Sequence, residues 1–254
     1  MEQLFKLKQH GTTVRTEVMA GITTFMTMAY ILAVNPGILS ATGMPAGGVF
    51  TATALASMIA TLLMAFMANL PIALAPGMGL NAFFAFTVVL TMGYSWQLAL
   101  TAVFVEGIIF ILMSFFNIRE AIVKSIPQNI KIAVSVGIGL FIAFIGLQNA
   151  GIIANNDATL VSLGDITHGA PLVAVIGLVV SGVLLAFKVK GALLIGIVAT
   201  TIIGIPFGVT SIPKGWSPVS APAAPIFMAF DFSQIFTLDF FVVLFTFLFV
   251  DIFD

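Results

Sequence analysis

Three carboxylates occupy positions where charge is costly. Glu106 lies in Phe104-Val105-Glu106-Gly107-Ile108, and Asp251 and Asp254 lie in Val250-Asp251-Ile252-Phe253-Asp254, each inside an apolar run. Asp251 and Asp254 are three positions apart, about 60° around a helix, so they share a face roughly one turn apart. Desolvation and mutual repulsion both favour the protonated form of a carboxyl group. Such a pair can hold one proton near neutral pH, which suits proton coupling; the other reading is a pair of helix-packing hydrogen bonds. For Glu106 the readings are an inter-helix hydrogen bond or a part in proton coupling, because an intramembrane acid must find a partner or stay protonated. Glu17 sits beside Arg15 as a solvated interface residue, and His10 and His168 read as solvated loop residues.

A second chemical feature is the stretch from Leu70 to Phe84, LPIALAPGMGLNAFF. Pro71 and Pro76 remove backbone donors and Gly77 and Gly79 penalise helix, so Ile72–Leu80 is predicted to be extended or unwound. Asn81 is a good N-cap, and a helix is predicted from there to Met92, twelve residues or about 18 Å. This is little more than half of a bilayer core of about 30 Å. Such a break places backbone N–H groups and the positive end of a half-helix near the midplane, where they can meet a substrate. The competing reading is a kinked helix with small residues for close packing. Phe83 and Phe84 are read either as packing residues or, for one of them, as a stacking platform in a cavity.

These features must be positioned by membrane-spanning elements. Of 254 residues, 60% are hydrophobic and 7% are charged, against roughly 25% charged in a soluble domain. The chain has no Cys, which excludes a disulfide scaffold and a Cys-ligated metal domain. A net charge of −1 without a basic tract argues against nucleic acid as a partner. Seven apolar runs can each cross a bilayer: Val18–Val34, Gly48–Ala68, Ile72–Met92, Trp96–Phe116, Lys131–Ile152, Pro171–Phe187 and Gly191–Val209. An eighth begins at Phe240 and continues to Asp254. With the N-terminus inside, eight of the nine basic residues fall on the cytoplasmic side and Lys214 alone falls outside. Tyr94, Trp96 and Trp216 fall where interfacial aromatics sit. The connection Pro206–Asp239 carries five prolines and cannot be one helix, which leaves a capping or re-entrant segment. The N-terminus has no signal peptide, and Leu4, Phe5 and Leu7 read as a segment on the bilayer surface or a frayed end. The apolar run meeting Asp251 and Asp254 without an anchor or loop is read as part of a longer, inverted-repeat transporter.

Three motifs carry a resemblance. Gly21-Ile22-Thr23-Thr24-Phe25-Met26-Thr27-Met28-Ala29-Tyr30-Ile31 with Val34-Asn35-Pro36, then Ala75-Pro76-Gly77-Met78-Gly79-Leu80-Asn81-Ala82-Phe83-Phe84, then Val250-Asp251-Ile252-Phe253-Asp254 resemble the nucleobase–cation symporter-2 family. The nearest branch is that of the AzgA-like hypoxanthine, guanine and adenine permeases. The resemblance implies an all-α polytopic membrane fold of two inverted seven-span repeats, of which this chain is the first plus the start of span 8. It implies a core half in residues 1–130, a gate half in 131–239, and a return to the core at 240–254. A short strand followed by a half-helix forms span 3. Proton symport of a purine base across the cytoplasmic membrane follows, with no cofactor beyond the proton and no catalysis.

Carried over by position, Asn81, Ala82 and Phe83 stand at the substrate, with Thr27 a weaker neighbour. Asp254 faces the base, and Asp251 and Glu106 join it as proton-coupling candidates. The implied partners are a purine nucleobase, the lipid bilayer and the missing C-terminal half of the transporter; a homodimer is left open. Sulphate-type anion carriers share this architecture, but Asp251 and Asp254 would repel their substrate. An intramembrane aspartyl protease needs acids on two helices, one of them in Gly-x-Gly-Asp, and a channel needs polar stripes along several spans; neither pattern is present.

Overall fold

The computed structural model describes residues 5–211 and 221–253, so Leu4, Lys214, Trp216 and Asp254 lie outside the described residues. Each apolar run contains helix, the third only from Met78 onward. The first span is α1 (Val14–Met28) and α2 (Ile31–Ser40), separated at Ala29 and Tyr30. Next comes α3 (Ala46–Leu63), whose last turn widens to π-helix over Met64–Ala68. α4 (Met78–Ala82) continues as π-helix through Phe83–Thr91. Then follow α5 (Trp96–Phe115), α6 (Ile118–Ser125), α7 (Gln128–Asn149), α8 (Gly169–Ala186), α9 (Ala192–Gly204) and α10 (Leu238–Phe253). Five of the described helices are long and apolar enough to cross a membrane, and Met78–Thr91 and Ala192–Gly204 are shorter apolar helices.

Local chemistry fixes the ends. Thr13 caps α1 by accepting a hydrogen bond from the Thr16 N–H, and Ser95 caps α5 by accepting from Leu98, both at 3.2 Å. α5 ends where Asn117 takes a left-handed conformation at φ 54°, which a short amide side chain tolerates. The amphipathic α6 that follows carries a solvated Glu120–Lys124 pair at 2.6 Å.

Two features modify the expectation of an all-α chain with an Asn81-capped third span. An antiparallel hairpin, β1 (Ile153–Asn156) with β2 (Leu160–Leu163), joins α7 to α8. Its turn is made by the Asn156 side chain, whose Oδ1 accepts from the N–H groups of Ala158 and Thr159 at 2.9 and 3.1 Å. The third-span helix starts at Met78, three residues before Asn81, with Gly77 as an extended cap at φ −68° and ψ 126°. Gly79 does not delay it, because the Asn81 N–H already closes the first helical bond onto the Gly77 carbonyl at 3.2 Å. Residues 69–77 form neither helix nor a paired strand, so the expected non-helical stretch is present over 72–77, and the short strand that the resemblance implied is not formed there.

The chain divides into two compact units. The first comprises residues 1–34, 53–76 and 146–222. Here α8 and α9 form a close pair: a Cβ on Gly177 would strike Thr200, and one on Gly196 would strike Ser181. α1 rests against α9, with Met26 over Gly191. Thr61 on α3 holds the extended segment, donating to the Leu74 carbonyl at 3.3 Å and accepting from the Leu74 N–H at 3.0 Å. Those two bonds answer backbone groups that a missing helix leaves open. Phe5 packs on Phe66 at 6.0 Å between ring centroids, so this part of the N-terminal segment lies on protein.

The second unit comprises residues 35–52, 77–145 and 223–254. Its core is the packing of α10 on α5 and α4, and of α5 on the π-helix. Phe84, Val88, Leu98, Ala102, Phe240 and Val243 are buried there around Phe247. The described part of the proline-rich connection, residues 221–237, forms no helix and runs along this unit. Ala223 and Ile226 fit against Gly47 and Gly48, Phe230 packs on Phe104 at 4.5 Å, and the Asp231 N–H donates to Thr101 Oγ1 at 2.8 Å. Phe104 is on the third turn of α5, so the segment reaches alongside that helix before returning to start α10. Non-helical backbone at that depth is tolerated because protein covers it.

Candidate functional site

Asn81 is not a cap but a partner. Its Nδ2 donates to Oδ1 of Asn35 at 2.6 Å. Asn35 is only 3% exposed and sits on α2 just before Pro36, whose ring removes a helical donor from the next position. An amide pair with Asn35 buried and Asn81 half-buried, next to a helix N-terminus, creates a polar spot in an apolar unit. The N–H groups of Met78, Gly79 and Leu80 open that terminus, since the first intrahelical bond is donated by Asn81. Asn35 was present in the first-span motif but was not among the expected site residues. The signal that could have found it is an amide beside a proline inside an apolar helix.

The next residues divide. Ala82 is buried at 2% exposure in the packing of α4, so its side chain acts by fitting the helix to its neighbours. Phe83 is half-buried and meets Phe247 edge to face at 5.2 Å, while Phe84 is buried and meets the same ring at 6.5 Å. Phe247 is 1% exposed and projects from α10, one turn before Asp251. These aromatic contacts bring the Asn81 turn and the Asp251 helix into one packed cluster.

Glu106 lies on α5 in the same unit. It is 5% exposed, and its Oε1 has no hydrogen-bond partner among the described residues. Asp251 is half-buried on α10, the helix that packs on α5, so these two acids stand on neighbouring helices. Asp254 lies outside the described residues.

Thr27 belongs to the first unit. Its hydroxyl donates to the Thr24 carbonyl at 2.7 Å, and with Thr16, Thr23, Thr24, Arg15 and Lys190 it lines a groove of about 590 Å³. A second hollow of about 530 Å³ in this unit is bounded by α1, α3 and the extended residues 70–73, and is mostly apolar. Glu17 accepts from the Thr12 hydroxyl at 2.7 Å, which gives it a local partner in place of Arg15. Outside the spans, hydrogen bonds from Thr167 hold the Asp165 carboxyl below its usual range, with His168 adding a smaller effect. His168 is exposed, as its sequence position implied.

A half-helix opening beside an amide pair, and acids on two helices that pack together, thus occur in the second unit. The model of the Permease family, which gathers the xanthine and uracil permeases, matches residues 15–254. The chain belongs to the nucleobase–cation symporter-2 family. It is 47% identical over 254 residues to a permease of Methanocaldococcus jannaschii, spanning all of this chain and 58% of that one. It is 42% identical over 256 residues to the adenine permease AdeP of Escherichia coli, spanning all of this chain and 57% of that one. It is 43% identical over 258 residues to the guanine/hypoxanthine permease PbuO of Bacillus subtilis, spanning 99% of this chain and 59% of that one. The chain thus spans less than two thirds of the length of these relatives. Family membership and the apolar helices together make this symporter-family chain a multi-pass membrane protein.

Proposed function

We propose that the chain serves proton-coupled uptake of a purine nucleobase (hypoxanthine, guanine or adenine) across the cytoplasmic membrane, with its N-terminus in the cytoplasm. The observation that carries this reading is the Asn35–Asn81 amide pair at the opening of the α4 half-helix. A purine presents ring N–H donors and ring-nitrogen and carbonyl acceptors in one plane. Fixed amides and open backbone N–H groups answer its acceptors, and a carboxylate answers its donors. Asn81 and the backbone around Ala82 meet the base in this reading, and Phe83 lies against it. Asp254 accepts from the ring N–H, and Thr27 is the weakest of the substrate candidates. Asp254, Asp251 and Glu106 are the proton-coupling acids. Residues 1–130 and 240–254 act as core and 131–239 as gate, in a 7+7 inverted repeat. The further length present in the relatives supplies the partner that completes the site.

The named substrates of AdeP and PbuO support the substrate class. Two acids in the second unit argue against an anion carrier, because they would repel its cargo. The test is uptake into proteoliposomes by the carrier that contains these 254 residues, under an imposed inward proton gradient. Labelled hypoxanthine, adenine and guanine should accumulate and compete with one another. Accumulation of sulphate, or purine uptake indifferent to the gradient, would contradict the reading.

A further inference from the structure

The non-helical backbone of residues 71–76 needs partners within a membrane-spanning region. Pro71 and Pro76 bring no N–H, but each of the six residues brings a carbonyl. Among the described residues, the hydrogen bonds of this stretch are the two at Leu74, and Thr61 makes both. One hydroxyl oxygen accepts from the Leu74 N–H at 3.0 Å and donates to the Leu74 carbonyl at 3.3 Å. A neighbouring strand residue would make the same exchange with its N–H and C=O. Thr61 stands on α3, thirteen positions before Leu74, and the chain turns back between them at Asn69, which is left-handed at φ 51°.

Other threonines of the helices use their hydroxyls differently. Thr24, Thr51, Thr101, Thr200 and Thr246 each donate to the carbonyl four residues back in their own helix. The Thr61 hydroxyl reaches out of α3 instead. Ser57 lies one turn earlier on the same face, and its buried hydroxyl has no partner among the described residues. A hydroxyl on that face therefore does not capture the segment by its presence alone. Residues 70–73 border the hollow of about 530 Å³, as do Ser57 and Thr61, so no packed neighbour fixes the segment from that side.

We propose that Thr61 is a positioning residue: its hydroxyl holds residues 71–76 extended, which lets the helix that carries Asn81 begin at Met78. Leu74 stands four residues before Met78, and the Asn81 N–H closes the first helical bond onto the Gly77 carbonyl. Without the tether, Leu74 has an unanswered donor and acceptor, and the stretch leading to Gly77 loses its fixed path. Thr61 itself does not meet the substrate. Its consequence for uptake rests on the purine-transport reading, whereas its hold on the segment does not.

The test combines amide hydrogen exchange with hypoxanthine uptake, in the carrier containing these 254 residues reconstituted in lipid. Without purine, the native Leu74 amide should exchange more slowly than those of Ala73 and Ala75, and equal rates would overturn the proposal. Thr61→Val keeps the shape and removes the hydroxyl, so it should speed Leu74 exchange roughly 3- to 10-fold. In uptake driven by a proton gradient it should raise the half-saturation concentration by a similar factor and keep the maximal rate per folded carrier. Thr61→Ser should bring both values back toward native, and Ser57→Ala should leave both unchanged. A Thr61→Ser variant as impaired as Thr61→Val would contradict the role of the hydroxyl. So would a Thr61→Val variant that loses maximal rate at an unchanged half-saturation concentration, which is the mark of a merely structural part. If circular dichroism shows that Thr61→Val does not fold, the native comparison of Leu74 with its two neighbours decides. Absence of purine uptake by the native carrier would sink the transport reading and leave exchange to decide on Thr61.

Discussion

The 2.6 Å bond between Asn81 and Asn35 joins two chain segments 46 positions apart. Asn35 is buried, and removing it takes the acceptor away from Nδ2 of Asn81. Asn35→Ala should cost about 1–3 kcal/mol of stability, the penalty for an unsatisfied buried polar group, read as a lowered midpoint in thermal unfolding followed by circular dichroism. Asn35→Asp should retain more of that midpoint, since its carboxylate can still accept from Nδ2 of Asn81. The exposed Asp165 shows a pH effect with a definite sign. Its folded carboxyl titrates below the unfolded value, so the stabilisation is present above that unfolded value and is lost as pH falls through the depressed folded one. The Thr167 amide proton, whose N–H donates to Asp165 at 3.0 Å, should change its NMR chemical shift over that acid window and hold it at neutral pH. A Thr167 shift that is constant across the window would remove this link.

At the scale of elements, α10 is held through Phe247, the ring on which Phe83 and Phe84 both pack. Phe247→Ala should destabilise by about 3–5 kcal/mol, as large-to-small changes at buried aromatics do. Because α10 also carries Asp251, the variant should loosen both the α4 turn and the helix that bears this acid. Slowed exchange of α4 and α10 amides in the native protein and their joint acceleration in the variant would show the coupling. Much of this level was legible from apolar runs and from Pro71, Pro76 and Gly77, which place the break in the third span. The start at Met78 was not legible, because a preference for Asn at caps is worth only about 1 kcal/mol and the bond to Asn35 outweighs it. The β1–β2 hairpin was hidden for a similar reason: Asn155, Asn156 and Asp157 mark a turn, but four-residue strands carry too little periodicity to stand out. The packing of α5 on α10 was equally out of reach, since their acids Glu106 and Asp251 lie 145 positions apart in sequence.

For the molecule as a whole, the distribution of Lys and Arg makes a claim about orientation. Single cysteines introduced into this Cys-free chain at positions 119 and 188 should react with a membrane-impermeant reagent only after the cells are opened. Labelling of either from outside intact cells would reverse the topology. The central claim is that a carrier of this family binds a purine through Asn81 and a carboxylate at Asp254. A carboxylate accepts a ring N–H where an amide adds a competing NH₂, so losing that charge-assisted bond should cost about 1.5–3 kcal/mol, or roughly 10- to 150-fold in affinity. The most direct measurement is equilibrium binding of labelled hypoxanthine, together with its proton-driven uptake, in the carrier containing these 254 residues and in its Asp254→Asn variant at matched expression. The account predicts weakened binding and failed concentrative uptake in Asp254→Asn, with a milder loss in Asp251→Asn. Native binding and uptake in Asp254→Asn would contradict it.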